Sequence, residues 1–491
     1  MMMQDELEAG YDFSGIRALV VGLAREGTSL ARFLAEHHAH VTATDVKPAK
    51  ALAASLSALD ELPITFALGG HPLGLLDDVD IVFVSPGVPL EIPLVEEARC
   101  RNIPLSSETR LFARLCPALV VGITGSSGKT TTTTLVGKML QGAGRPTWVG
   151  GNIGQPLIGS LEEIQPAEVV VLELSSFQLD LFAPQPEVVE QVAGHPVEAV
   201  FDPSGWSPEI SAILNITPNH LDRHVTMEAY AAAKAHVLAY AQPGDIAVLN
   251  LDDPVTRKLG QHLRQEGLLW FSLEREVDRG AYLRGDQLVL HVSDREKVIC
   301  RTDELKLLGR HNVANMLAAC AISAAAGATV EVLRDVATSF SAVTHRLELV
   351  REWRGTRWYN DSIATAPERT VAALNAFEAP IVLLAGGRDK KLLWDEMATL
   401  TWRKARHVIL FGEAAGLIDE AMRRTAPDGG EAGARTVIHH AETLEQAVDL
   451  AANVAQRGNV VLLSPGGTSF DAYQDYEQRG EHFRQLVEAL E

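Results

Sequence analysis

The run Val120-Val-Gly-Ile-Thr-Gly-Ser-Ser-Gly-Lys-Thr130, which leads on through Thr131 to Thr134, constrains this chain more than any other feature. A strand-length apolar stretch empties into a glycine-rich turn and then into a helix. That succession belongs to α/β folds with parallel sheets, where turn N–H groups and the positive end of a helix dipole face a phosphate. Lys129 can reach terminal phosphates and Thr130 can ligate Mg²⁺. The spacing is Gly125-x-x-Gly128-Lys129-Thr130, with Ile123 where the general GxxxxGK[ST] pattern carries glycine. The loop reads as a phosphate cradle with a variant entry.

The same grammar of apolar strand, polar or glycine turn and amphipathic helix recurs in three blocks along the 491 residues. At about 100–200 residues per domain, the length suits several domains. The first block, 1–108, has predicted strands at Val41–Thr44 and Asp80–Val84 and a helix over Thr28–His37. The second, 109–343, has strands at Ala118–Thr124, Val169–Leu172, Ala212–Ile216 and Ile246–Asn250, and a helix over Met227–Ala241. The third, 344–491, has strands at Arg357–Tyr359, Pro380–Leu384, His407–Phe411 and Asn459–Leu463 and reads as a small doubly wound domain. Prolines at 184, 186, 196, 203 and 208 exclude one regular helix there, and an elaborated surface loop is expected. The Gly-, Arg- and Pro-rich stretch Ala421–Ala434 is expected to be an exposed loop.

Charge and cysteine usage narrow the function. Lys and Arg total 43 against 64 Asp and Glu, a formal charge of −21, which opposes broad binding to nucleic acid or anionic lipid. An anionic ligand then needs a local pocket or a metal. The four cysteines, Cys100, Cys116, Cys300 and Cys320, are scattered without CxxC spacing, as expected of reduced thiols in a cytosol. The start MMMQDELEAG lacks the basic and apolar regions of a signal peptide, and no apolar run approaches the about 20 residues that span a bilayer. A cytoplasmic protein with no membrane insertion is expected.

Other candidate groups sit where predicted strands end. Glu173 closes Val169-Val-Val-Leu-Glu173, where a carboxylate faces the ligand crevice of an α/β sheet and can hold Mg²⁺. His220, in Asn215-Ile-Thr-Pro-Asn-His-Leu-Asp-Arg-His224, is either a satisfied structural histidine or a ligand of a second ion. Lys234, read alone, is a solvated helix lysine. In the first block Gly22-x-Ala24-x-x-Gly27, with Asp45 after a second strand, approximates a dinucleotide fingerprint whose second glycine is Ala24. In the third, Asn360-Asp-Ser-Ile-Ala-Thr365, Gly386-Gly-Arg-Asp-Lys390 and Ser464-Pro-Gly-Gly-Thr-Ser-Phe-Asp471 each follow a strand and suit a small carboxylated substrate.

Taken in order, GITGSSGKTTT, ELSSFQL, NITPNHLDRH with Lys234 beyond it, GRHNVANMLAA, THRLE and LLSPGGTSFDAYQDYEQRG resemble the Mur ligases, ATP-dependent enzymes that form an amide bond in peptidoglycan synthesis. The resemblance implies an α/β protein of three domains: a Rossmann-like N-terminal domain, a central P-loop ATPase-like domain and a Rossmann-like C-terminal domain. It implies that Gly125, Ser126, Ser127, Gly128, Lys129, Thr130 and Thr131 hold ATP, with Asn312 and Asn315 on the adenine side and Arg346 and Asp361 completing the pocket as the third domain closes like a lid. Thr130, Glu173, His220 and a carbamylated Lys234 would bind two Mg²⁺ ions, and Lys129, His220 and Lys234 would be the catalytic set. Gly22, Leu23, Asp45, Ser85 and Asn152 would take the UDP-linked substrate, and Thr365, Lys390, Ser469 and Tyr476 the amino acid. ELSSFQL, the DSxAT element and SFDxYxxYEQRG look most like members that join D-glutamate to UDP-N-acetylmuramoyl-L-alanine, as a monomer and without nucleic acid.

Three positions depart from many relatives: Asn219 stands for Asp, Ile363 for Lys within the DSxAT element, and Arg388 for an acidic residue. Ile363 touches the amino-acid pocket, so addition of L-glutamate is the near alternative, and a folylpolyglutamate-type ligase the more distant one. Two other classes are a P-loop switch protein, which would need none of the third-domain elements, and a dehydrogenase using the Gly22 turn.

Overall fold

The computed structural model describes residues 11–154, 156–218, 224, 226–292, 295–307, 309–340, 345–389, 392–426 and 436–490. They form two compact units, the chain up to Glu304 with Val313–Thr338, and Leu305–Asn312 with the chain from Ser339 onward.

The first unit holds two sheets. β1 (Arg17–Val21), β2 (His40–Asp45), β3 (Ile64–Leu68), β4 (Ile81–Val84) and β5 (Leu105–Ser106) are all parallel in the order β3-β2-β1-β4-β5. Chain order reverses between β1 and β4, which opens a crevice at their carboxyl ends. Both strands read as unbroken apolar runs because both faces are covered: Val20 and Phe83 pack on one side, Leu19 and Val82 on the other.

The second sheet comprises β6 (Leu119–Thr124), β7 (Thr147–Gly151), β8 (Val169–Glu173), β9 (Ile210–Ile213), β10 (Ile246–Asn250), β11 (Leu268–Ser272), β12 (Gly280–Arg284), β13 (Gln287–Val292) and β14 (Arg295–Arg301). Its order is β14-β13-β12-β11-β10-β9-β6-β8-β7, parallel except for the antiparallel meander β12-β13-β14 at one edge. β8, β6 and β9 are neighbours, so their carboxyl ends lie side by side.

The second unit holds β15 (Glu348–Trp353), β16 (Thr356–Asn360), β17 (Ile381–Gly386), β18 (Ala405–Phe411), β19 (Val437–His440) and β20 (Val460–Gly466), in the order β15-β16-β20-β17-β18-β19. Only β15 runs antiparallel to its neighbour.

Most predicted strands fall within two residues of those observed. The one expected at Ala212–Ile216 ends at Ile213, because Leu214 to Thr217 leave the sheet to bond the phosphate loop. The helix expected at Thr28 begins at Arg25, and that expected to Ala241 ends at Ala239. Of the stretch Ala421–Ala434, Ala421–Arg424 continues the helix Ala415–Arg424, and residues 427–435 lie outside the described residues.

The proline-rich segment is more ordered than a loop, being built from short 3₁₀ turns and one turn of helix at Val189–Val192. It lies at the surface, with most of its residues exposed or half-buried, but it is pinned rather than a plain loop: Val188, Val192, Val197, Val200 and Phe201 are buried in the core of the unit. Pro186 and Pro196 stand at the start of short 3₁₀ turns, where a missing N–H costs nothing. Arg110 anchors the segment from the helix Glu108–Leu115. Its guanidinium lies over the Phe201 ring and donates to four carbonyls, those of Leu181 (2.5 Å), Ala183 (3.0 Å), Asp202 (2.7 Å) and Ser204 (2.9 Å). Burial pulls this guanidinium down to about 10. Gln185 adds a strand-like pair with the β5 edge, donating to the Leu105 carbonyl (2.6 Å) and accepting the Leu105 N–H (3.0 Å).

Candidate active site

β6 delivers the phosphate loop. Ile123, at the place of the missing glycine, is a fully buried strand residue paired with β8 and β9, so the strand runs on to Thr124 and the turn opens at Gly125. Gly128 has φ +82°, and a Cβ there would stand 2.2 Å from Asn315 Oδ1, so only glycine fits. The helix Lys129–Gly142 follows at once. The loop is braced from the β9 end: Asn215 Oδ1 accepts the Ser127 N–H (2.9 Å), the Asn215 carbonyl accepts the Ser126 N–H (2.9 Å), and the Ser126 hydroxyl bonds the Thr217 carbonyl (2.9 Å).

Two lysines converge here. Lys129 Nζ donates to the Gly125 carbonyl at 2.9 Å, and Lys234 Nζ donates to the same oxygen at 3.1 Å and to Thr124 Oγ1 at 3.3 Å. Lys234 is 2% exposed, so it is no solvated helix lysine; it sits on the inner face of the helix Met227–Ala239. Burial first, then the Lys129 charge, pulls its amine well below the usual lysine range, against Glu173 and Asp180. Four residues earlier on that helix, Tyr230 bonds the Ser126 hydroxyl (3.1 Å) and places its ring 4.8 Å from Lys234 Nζ.

Glu173 ends β8 beside this loop and is buried. Its Oε1 accepts from Asn152 Nδ2 (3.0 Å), while Oε2 has no hydrogen-bond partner among the described residues. A buried carboxylate oxygen without a partner, near the Thr130 helix start, is a donor set of the hard oxygen type that suits Mg²⁺. Asn152, expected at the UDP-linked substrate, thus also orients Glu173. His220 lies outside the described residues. His224 is described: it bonds the Ser176 hydroxyl (2.9 Å) and stacks on Phe177, with centroids 5.3 Å apart. Both line a cavity of about 40 Å³ with Ser85, Glu91 and Asp180.

In the first sheet, Gly22, Asp45 and Ser85 meet at the β1/β4 crevice. The Ser85 hydroxyl donates to the Gly22 carbonyl (2.8 Å), and a Cβ on Gly27 would stand 1.8 Å from that same oxygen. Asp45 accepts the Leu23 N–H on Oδ2 (2.8 Å) and the Lys47 N–H on Oδ1 (2.9 Å), so it shapes the turn. Ala24 has ordinary extended backbone (φ −76°), which explains why no glycine is needed there.

In the second unit, Asp361 follows β16 and is buried. Its Oδ2 accepts from the Ser464 hydroxyl (2.8 Å) and Oδ1 from the Leu347 N–H (3.2 Å); burial pushes it up to about 6 despite these bonds and the Arg346 charge. Asn312 and Arg346 belong to this unit, and Asn315 to the first. Buried Arg479 ties the third-domain loops together: it donates to the Ser362 hydroxyl (3.0 Å) and carbonyl (2.8 Å) and to the Gly467 carbonyl (3.2 Å). The Ser362 hydroxyl donates in turn to the Tyr476 carbonyl (2.8 Å), and Ser469 is buried on the β20 loop. Thr365 is half-buried; Lys390 lies outside the described residues. Arg388 is paired with Glu413 through two 2.8 Å bonds.

Three family models tile the chain: the Mur ligase MurD-like N-terminal domain on residues 16–107, the Mur ligase middle domain on 123–323 and the Mur ligase glutamate ligase domain on 345–467. A UDP-N-acetylmuramoylalanine--D-glutamate ligase of Symbiobacterium thermophilum is 43% identical over 478 residues, 96% of this chain and 98% of that protein. The chain belongs to the Mur ligase family. A second relative of this Mur ligase, from Pelotomaculum thermopropionicum and bearing the same name, is 39% identical over 98% of this chain and 99% of its own. Among solved structures, UDP-N-acetylmuramate-alanine ligase MurC of Thermotoga maritima has a TM-score of 0.58 at 18% identity, covering 96% of this chain and 99% of its own. The MurF ligase of Thermotoga maritima, solved with ADP, has a TM-score of 0.56 at 18% identity, covering 98% and 99%. At such identities the likeness is one of fold, and it bears out the α/β architecture. No helix among the described residues is long and apolar enough to cross a membrane.

Sequence reasoning missed several site residues of this Mur ligase. Tyr230 carried one usable signal, its place four residues before Lys234 on one helix face. Asn215, Asn152 in its role on Glu173, and Arg479 act through contacts distant in sequence, which spacing does not reveal.

Proposed function

We propose that this Mur ligase joins D-glutamate to UDP-N-acetylmuramoyl-L-alanine, converting ATP to ADP and phosphate, as a step of peptidoglycan precursor synthesis. One observation carries the choice of substrates: relatives matching the chain end to end, at 36–43% identity, bear the name of that ligase. The chemistry follows from the lysines. The alanyl carboxylate attacks the γ-phosphorus and ADP leaves; the glutamate amine then attacks the acyl phosphate carbonyl, loses a proton, and phosphate departs. A carboxylate and a triphosphate repel as they meet. Lys129 offsets that repulsion at the loop, where Gly125, Ser126, Ser127, Gly128, Thr130 and Thr131 are assigned to the ATP phosphates. Thr130 and Glu173, with His220 and a carbamylated Lys234, are the proposed holders of two Mg²⁺ ions, which would supply further neutralisation of the meeting anions. Burial and the Lys129 charge disfavour the protonated amine of Lys234, and a neutral amine is the form that takes up CO₂. Asn312, Asn315, Arg346 and Asp361 are the further residues assigned to ATP.

Gly22, Leu23, Asp45 and Ser85 of residues 1–108, with Asn152, are assigned to the UDP-linked substrate, residues 109–343 to ATP, and Thr365, Lys390, Ser469 and Tyr476 of 344–491 to glutamate. ATP and a UDP-linked substrate place the reaction in the cytoplasm, and a monomer suffices for it. The test supplies UDP-N-acetylmuramoyl-L-alanine, Mg·ATP and either D- or L-glutamate, and follows phosphate release and product mass. Turnover with D-glutamate is expected; preference for L-glutamate overturns the stereochemistry alone, and no product with either overturns the substrate assignment.

A further inference from the structure

A buried chain of polar groups joins the helix after the Gly22 turn to the helix after Glu173. Gln178, on the helix Ser176–Asp180, donates both amide hydrogens, to Glu26 Oε1 (3.1 Å) and Thr109 Oγ1 (3.0 Å). Its Oε1 accepts the Ser175 N–H and hydroxyl, both at 2.9 Å. The Thr109 hydroxyl donates to Glu108 Oε2 (3.2 Å), and Glu108 Oε1 accepts the Ile158 N–H (3.3 Å). Glu26 Oε2 is buried and has no hydrogen-bond partner among the described residues. Four elements therefore meet on two carboxyls: the helices Arg25–Glu36, Glu108–Leu115 and Ser176–Asp180, and the 3₁₀ segment Leu157–Glu163.

We infer that Glu26 and Glu108 hold one proton between them and act as positioning residues, the proton fixing Gln178 and with it the placement of the Ser176–Asp180 helix against the Gly22 turn. Two ionised carboxylates linked through the Gln178 amide and the Thr109 hydroxyl, Glu108 buried and Glu26 half-buried with its Oε2 shut away from water, repel with less screening than in solution, and removing either proton burdens the other site. The groups facing the pair are few. Arg25 is the cation acting on both; the Glu108 helix brings Thr109, the 3₁₀ segment brings the Ile158 N–H, and the Ser176 helix brings the neutral Gln178. Burial pushes both carboxyls up, Glu26 to about 7 and Glu108 to about 8, so the last shared proton leaves on the alkaline side of neutrality. With both ionised, the joint loosens and the cavity between Ser85 and Phe177 loses its fixed width.

The kinetic consequence rests on the proposed UDP-linked substrate; the proton itself does not. Infrared titration of the ligand-free full chain reads the protonated carboxyl band directly. A band that disappears between about pH 7 and 9, that is weaker and shifted in Glu26→Gln and in Glu108→Gln and missing from the double variant, is expected; its absence from the unsubstituted protein overturns the shared proton. In steady state, KM for UDP-N-acetylmuramoyl-L-alanine should rise about three- to tenfold from pH 7 to 9 with kcat little changed, and Glu108→Gln and Glu26→Gln should each flatten that rise. A KM slope unchanged in both variants overturns the positioning role, as does a uniform loss of activity at every pH. No ligation by the unsubstituted enzyme overturns the substrate assignment instead, and the infrared result still decides the proton.

Discussion

Lys129 and Lys234 point at one carbonyl oxygen, and each makes the other's charge costly. Replacing Lys129 by Met should therefore raise the titration point of the Lys234 amine, read by NMR of ¹³Cε-labelled lysine. Lys129→Ala and Lys234→Ala should each abolish ligation, and near-normal turnover in a folded variant would remove that residue from the mechanism. Gly128→Ala forces a left-handed backbone on alanine and drives its Cβ into Asn315, at about 1–3 kcal/mol, seen as a lower urea midpoint together with weaker ATP binding. The motif residues of the loop were legible in the sequence because a strand, glycines and a lysine in fixed register leave few geometries open. The burial of Lys234 and the unpartnered Glu173 oxygen were not, since both depend on which strands become neighbours.

At the scale of elements, the Arg110 guanidinium is the chief polar anchor of the segment 184–208. Arg110→Met should leave four carbonyls without their donor and cost about 2–4 kcal/mol by urea denaturation, whereas Arg114→Met, on a more exposed side chain that bonds the Ala199 carbonyl (3.4 Å), should cost less than about 1 kcal/mol. Proline spacing excluded a regular helix there but said nothing of Val188, Val192 and Phe201 reaching the core, because short turns keep no periodicity to read. Strands buried on both faces, such as β6 and β17, were legible as unbroken apolar runs; β7 and the meander β12-β14 were not, being short or at an edge. On the adjacent strands β18 and β19, His407 Nδ1 and His439 Nε2 are 3.0 Å apart. Burial lowers both, with His439 and Arg406 adding to it for His407 and His440 for His439, so their contribution is complete above the usual histidine range and is lost as pH falls through it. The urea midpoint of the second unit should drop from pH 7.5 to 5.5, and drop less in His439→Gln.

Over the whole molecule, a charge of −21 meets substrates that are themselves anions. Long-range repulsion is screened within about 10 Å at 0.1 M salt, so kcat/KM for the UDP-linked substrate should climb about two- to fivefold between 20 and 200 mM salt. A steep fall would mean that the lysines at the loop dominate encounter. All three sheets gather candidate groups at strand carboxyl ends: Gly22, Asp45 and Ser85 in the first, Gly125 and Glu173 in the second, Asp361 in the third. The tip of the meander lies on that side of its sheet too, but four strands along from β6: Gly285, between β12 and β13, is exposed, has φ +61°, and meets nothing that an added Cβ would touch. An epitope spliced in after Gly285 should be silent in every assay above, which gives the enzyme a handle for tethering to a sensor surface without blocking its substrates.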